Sequence, residues 1–174
     1  MTKALTRTIV VAIGVAVIGL AVYLLRPSEE RRVRARLEAG AKALSVPAGE
    51  TDFARLARLV ELRGFLAEDA VVRFAREGQA PIHGRDAIVG LAARALAPMG
   101  ARVELHEVRV TMRDANTVAD VMLEVRLLSQ DPAAESPIID ARSVGLTWRK
   151  VDGTWVVVNV RVMESDDSVR RPSP

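Results

Sequence analysis

The chain has no cysteine, two histidines and six aromatic residues among 174: three Phe, two Trp and one Tyr. Without thiols there is no disulfide, no thiolate nucleophile and no cysteine-held zinc. That absence is compatible with either side of a membrane. The two histidines, His83 and His106, are isolated and lack ligand spacing, so no metal site is expected. Neither a phosphate-binding glycine loop nor a nucleophile elbow is present, and no cofactor is expected. Lysine is scarce too, at three residues against 22 arginines, an excess that codon bias accounts for.

An excess of one charge is also missing, once the chain is divided. The whole sequence carries 25 basic and 22 acidic residues, a formal charge of +3. Lys3, Arg7 and Arg26 lie in the first 27 residues, which hold no acid, so the remainder balances at 22 against 22. With no basic face interleaved with aromatics, nucleic acid is excluded as a partner.

What is present begins with Thr8–Leu25, 18 residues without a charge. As a helix this run would span about 27 Å, close to the hydrocarbon thickness of a bilayer. Tyr23 and Arg26 stand where interfacial anchors belong. A cleaved signal peptide is the rival reading, but the run ends in Tyr-Leu-Leu-Arg-Pro without a small-x-small site. The reading is a single-pass membrane protein: residues 1–7 a tail, 8–25 a transmembrane helix, 28–163 a folded domain and 164–174 a disordered tail. The lipid bilayer is thus the first expected partner, through Thr8–Leu25. The Lys and Arg count around the span leans toward a cytoplasmic domain.

Glu29–Ser45 reads as an amphipathic helix with Val33, Leu37, Ala41 and Leu44 inward. Thr51 or Asp52 caps a second helix to about Leu62, with Leu56, Leu59 and Val60 inward. A short strand, Ala70–Phe74, follows, and Arg85–Ala97 is a third helix ended by Pro98 and Gly100. Val103 and Leu105 alternate, then Val108, Val110 and Met112 alternate on the other parity, which places a bulge near His106-Glu107. In Val118–Leu128 the odd positions are all apolar and the even ones include Asp120, Glu124 and Arg126, giving one dry face.

The last hairpin, Val144–Met163, organises the domain. A type I turn at Val151-Asp152 with Gly153 as a left-handed bulge opposes Lys150 to Thr154. This register puts Val144, Leu146, Trp148, Val156, Val158, Val160 and Val162 on one apolar face. Trp155, Val157, Asn159 and Arg161 fall on the wet face.

Three motifs, Ala67-Glu68-Asp69-Ala70-Val71-Val72-Arg73-Phe74, Ile82-His83-Gly84-Arg85-Asp86-Ala87-Ile88 and Trp148-Arg149-Lys150-Val151-Asp152-Gly153-Thr154-Trp155, come in an order that resembles the nuclear transport factor 2-like superfamily, with its ketosteroid-isomerase-like and SnoaL-like members. The resemblance spans residues 29–163. It implies an α+β cone: a curved antiparallel sheet wrapped around about three helices, here preceded by one transmembrane helix. The isomerases' catalytic residues do not carry over. Phe74-Ala75-Arg76 stands where their acidic base lies, Tyr23 lies in the membrane run, and Val144 and Leu146 occupy the place of the second acid. Catalytic residues are therefore none, and the enzyme reading leans to no.

Trp148 lines the expected pocket, with Asp140 and Arg142 as a rim pair and His83 ordering the loop before the third helix. Trp155, Asn159 and Arg161 mark the expected partner surface. Bitopic proteins of this fold serve secretion channels, an analogy that leans periplasmic. The expected function is accordingly a membrane-anchored, non-enzymatic interaction or scaffold domain of a bacterial envelope protein, paired in a homodimer or with another envelope protein. The alternative is a small-molecule binder or degenerate isomerase-like enzyme with an apolar pocket. A large open cavity behind Trp148 favours this alternative, and a filled one favours the scaffold.

Overall fold

The structure, a computed structural model, describes residues 28–47, 49–75, 78–96, 101–129 and 138–163. The Thr8–Leu25 run and both expected tails lie outside these residues. Among the described residues no helix is long and apolar enough to cross a membrane.

Among the described residues three α-helices precede or interrupt the sheet: α1 (Glu29–Leu44), α2 (Asp52–Arg63) and α3 (Arg85–Leu96). Helix α1 starts where Ser28, in an extended conformation, accepts from the Arg31 N–H, and Glu29 and Glu30 complement the first turn's positive end. It buries Val33, Leu37 and Ala41 at helical spacing, as its sequence implies. Thr51 caps α2 by accepting from Ala54 N–H.

Helix α2 is rotated from the face expected: Leu59 packs against the core as its spacing implies, but Leu56 and Val60 point outward. Leu56 is 63% exposed, Val60 69% and Phe53 82%, whereas Arg58 and Leu62 are buried. The reason is an ion pair: Arg58 donates through Nε and Nη2 to both oxygens of Glu50, at 2.8 and 3.0 Å. Glu50 comes from the loop that leads into α2, and its side chain is only 5% exposed. A guanidinium neutralised and bridged in this way turns inward together with its aliphatic stem.

Six strands of the described residues form one sheet in the order β2-β1-β6-β5-β4-β3: β1 (Leu66–Phe74), β2 (Ile82–His83), β3 (Ala101–Arg113), β4 (Val118–Ser129), β5 (Ile138–Val151) and β6 (Thr154–Val162). The β3–β6 run is an antiparallel meander, but β1 pairs with β6 in parallel, so the sheet is mixed rather than wholly antiparallel. Strand β1 is also longer than expected, beginning at Leu66 and breaking register before Val71. The bulge near His106-Glu107 is present: β3 shifts register between His106 and Arg109, and Glu107 adopts φ 52°.

The final hairpin corrects the expected register. Asp152 (φ 48°) and Gly153 (φ 81°) are both left-handed and form a two-residue turn that opposes Val151 to Thr154. Such a turn matches the right-handed twist of the strands, which a type I turn opposes. The extra residue is moved into the strand: Trp148 faces Val157, Thr147 faces Asn159, and Val158 is the bulge between them. The bulge restores the dry face at the far end, where Leu146 meets Val160 and Val144 meets Val162. Near the turn it reverses the expected faces. Trp155 and Val157 are buried, at 3% and 6% exposure, so Trp155 is no part of an outer surface.

Candidate functional site

The concave face of the sheet and the three helices line a partly open cavity of about 290 Å³. Helix α1 contributes Leu37, Ala41 and Leu44, α2 contributes Leu62, and α3 contributes Ile88, Val89 and Ala92. The sheet supplies Leu123, Val144, Leu146, Val160 and Trp148 among others. Among the described residues every lining side chain is apolar or the indole of Trp148, and none is titratable.

Trp148 is 2% exposed, and its Nε1–H has no acceptor among the described residues. No group of three His, Cys, Asp or Glu residues capable of holding a metal occurs among the described residues. General acid–base chemistry needs a proton-transfer group within hydrogen-bond reach of the substrate. Among the described residues this wall carries no such group.

The other expected ligand residues stand apart from the cavity. Asp140 and Arg142 form a pair on β5, with Arg142 Nε 3.1 Å from both carboxylate oxygens, but neither lines the cavity. Their side chains are 40% and 45% exposed, where an ion pair contributes little. His83 is exposed on the short edge strand β2, opposite Val71. Of the three expected partner residues, Asn159 and Arg161 remain on the convex face, where Arg73 donates to the Asn159 side-chain oxygen. Trp155 instead donates its indole N–H to Glu29 at 3.0 Å. Lys150 and Arg32 also contact that carboxylate, at 2.9 and 3.0 Å. These bonds, led by Lys150, hold the Glu29 carboxyl below the usual range.

A second depression, of about 510 Å³, runs between α1 and the edge strand β3. Arg34, Lys42 and Arg102 border it, and Leu37, Ala41, Val103 and Leu105 form a floor shared with the inner cavity. Arg34 pairs with Glu30 and Arg102 lies 3.5 Å from Glu104, so most of this positive charge is already neutralised.

No protein-family model matches the chain, and no curated protein does. Solved structures do. A nuclear transport factor 2-like protein with a cystatin-like fold from Novosphingobium aromaticivorans is 18% identical, with TM-score 0.64, over 84% of this chain and 88% of its own. A nuclear transport factor 2-like protein of unknown function from Pseudomonas putida is 18% identical, with TM-score 0.60, over 83% and 92%. A candidate scytalone dehydratase, also from N. aromaticivorans, is 20% identical, with TM-score 0.59, over 77% and 82%. At these identities the likeness is one of architecture, and function resides in sites rather than folds. The six-stranded curved sheet with three helices inside it is the nuclear transport factor 2-like fold.

Proposed function

We propose that the domain binds a small, uncharged, apolar molecule inside its cone without transforming it, and that residues 8–25 hold it at a membrane. The observation that carries this reading is the cavity of about 290 Å³ with no titratable side chain among the described residues of its lining. Its volume is at the lower end of small-molecule pockets, which start at about 300 Å³. The lining also selects the ligand. A polar group buried without a partner costs about 1–3 kcal/mol, and an unpaired ionised group far more. Ionised acids, amines and phosphates are therefore disfavoured in the interior, where the one polar group of the described lining is the unpaired Trp148 indole N–H.

The same cavity counts against a scaffold role built on the sheet, as does the burial of Trp155, which removes that surface's aromatic anchor. It also counts against carrying over the dehydratase activity named for one structural neighbour, since no acid or base among the described residues lines the cavity.

Native mass spectrometry of the full chain, released gently from its own membranes, tests the reading. A stoichiometric small-molecule adduct is expected. It disappears in Leu146→Trp, which fills the cavity, and persists in Val158→Trp, because Val158 does not line it. Protein-only assemblies without an adduct would overturn the reading.

A further inference from the structure

Helix α2 has two apolar faces. Its inner face sends Leu62 to the cavity wall and Leu59 to the core. Its outer face carries Phe53, Leu56 and Val60 at helical spacing, 82%, 63% and 69% exposed. These three are most of the large exposed apolar residues of the described domain; the others are Met122 and Val151. The stripe runs about 10 Å along the helix and exposes on the order of 400 Å².

We propose that this stripe rests on the bilayer into which residues 8–25 insert, so that α1 and α2 lie along the membrane surface. The proposal rests on the membrane anchor and is independent of any ligand in the cone. Three observations support a lipid surface as the occupant. The uncharged run ends at Leu25, three residues before Ser28 caps α1, so the domain cannot leave the surface by more than about 10 Å of extended chain. Ser28 is extended (φ −56°, ψ 151°), so α1 does not prolong the preceding run as one rod, and the domain is free to lie across it. The third observation is the direction of α2. Arg36 donates to Gly64 O at 2.6 Å and Arg58 Nη1 to Ala43 O at 3.5 Å, which makes α2 antiparallel to α1. The C-terminal end of α2 therefore lies toward the tethered end of α1, with Val60 about 20 Å from Ser28 along the helix pair.

A second copy of the chain fits less well. A stable protein interface buries about 800 Å² per partner, roughly twice what the stripe offers. A tethered surface needs no such area, because the anchor supplies a high local concentration of lipid.

The cysteine-free chain makes the test direct. In the full-length protein reconstituted into phosphatidylcholine–phosphatidylglycerol nanodiscs, Leu56→Cys and, as a control on the convex sheet face, Met122→Cys are each labelled with an environment-sensitive nitrobenzoxadiazole dye. The label at 56 is expected to emit to the blue of that at 122 and to be quenched several-fold more by doxyl-labelled lipid. Equal, water-like emission at both positions would sink the inference. So would a blue shift at 56 that ignores doxyl lipid and fades on dilution, which would mean a second copy covers the stripe. Alkaline carbonate extraction of the same labelled proteins reconstituted into sedimentable liposomes of that lipid composition reports the anchor separately. Protein that stays in the pellet with position 56 in water loses the docking alone, and protein that is extracted loses the anchor as well.

Discussion

Trp155 donates its indole N–H to the Glu29 carboxylate at 3.0 Å, tying the turn end of the last hairpin to the first turn of α1. Hydrogen bonds to charged groups contribute about 1.5–3 kcal/mol. Glu29 keeps Lys150 and Arg32 when the indole is lost. Trp155→Phe should therefore cost about 1.5 kcal/mol, read from thermal or urea melting. In a double-mutant cycle with Glu29→Ala, which removes the acceptor, the two losses should fail to add. Strict additivity would show that the bond contributes nothing.

The Glu50–Arg58 pair sets an acid limit on stability. Arg58, bonded to both carboxylate oxygens, holds Glu50 below its ordinary value of 4.5. A folded-state value below the unfolded one stabilises the protein above the unfolded value, and that stability is lost as pH falls through the folded one. The wild-type melting temperature should thus decline below about pH 4.5, and Glu50→Gln should show a shallower decline from a lower start. The substitution leaves a buried guanidinium half-paired and should cost about 3 kcal/mol at neutral pH. Parallel pH profiles for the two proteins would assign acid sensitivity to other carboxylates.

The β3–β4 connection stores strain. Asp114, Ala115 and Asn116 take φ values of 51°, 52° and 65° in succession. Asp and Asn tolerate this region through their short polar side chains, whereas alanine does not. Ala115→Gly should raise stability by roughly 0.5–1 kcal/mol, a gain that chemical denaturation would detect. By the same reasoning Gly153→Ala, at φ 81°, should lower it by about 1 kcal/mol.

The cavity and the core around it can be separated by two substitutions at neighbouring wall positions. Trp148→Ala removes the largest fully buried side chain and should cost about 4 kcal/mol. Leu146→Trp adds volume into the cavity and should change stability by less than about 1.5 kcal/mol while abolishing ligand capture. A Leu146→Trp protein that melts far below wild type would mean that this wall is already close-packed.

Much of the domain was legible in the sequence. Alternation with a change of parity placed the β3 bulge at His106-Glu107, and helical spacing placed Val33, Leu37 and Ala41 in the core of α1. Legibility failed where one residue type could serve two faces. The sequence of α2 offers an apolar stripe at 53, 56 and 60 and another at 59 and 62. The choice between them is made by Glu50, whose partnership with Arg58 has no periodic signature. The hairpin failed for a related reason. Either turn yields a dry face if a bulge is allowed, and the sequence does not say whether the bulge sits at Gly153 or at Val158. The consequence for the site was large, because that position decides whether Trp155 faces a partner or the core. The apolar cavity wall was largely readable; its depth was not, since that depends on how the helices fill the cone.

The strand order has a consequence for biosynthesis. β6 is the final strand of the sheet to be translated, yet it lies between β1 and β5 and is the sole link joining β1 and β2 to the other three strands. Some 88 residues separate Leu66 from Thr154, so β1 emerges early and must await its central partner. Until β6 arrives the nascent chain exposes two unjoined half-sheets and an open cone. A ribosome that stalls anywhere before residue 154 leaves an adhesive fragment rather than a smaller working domain.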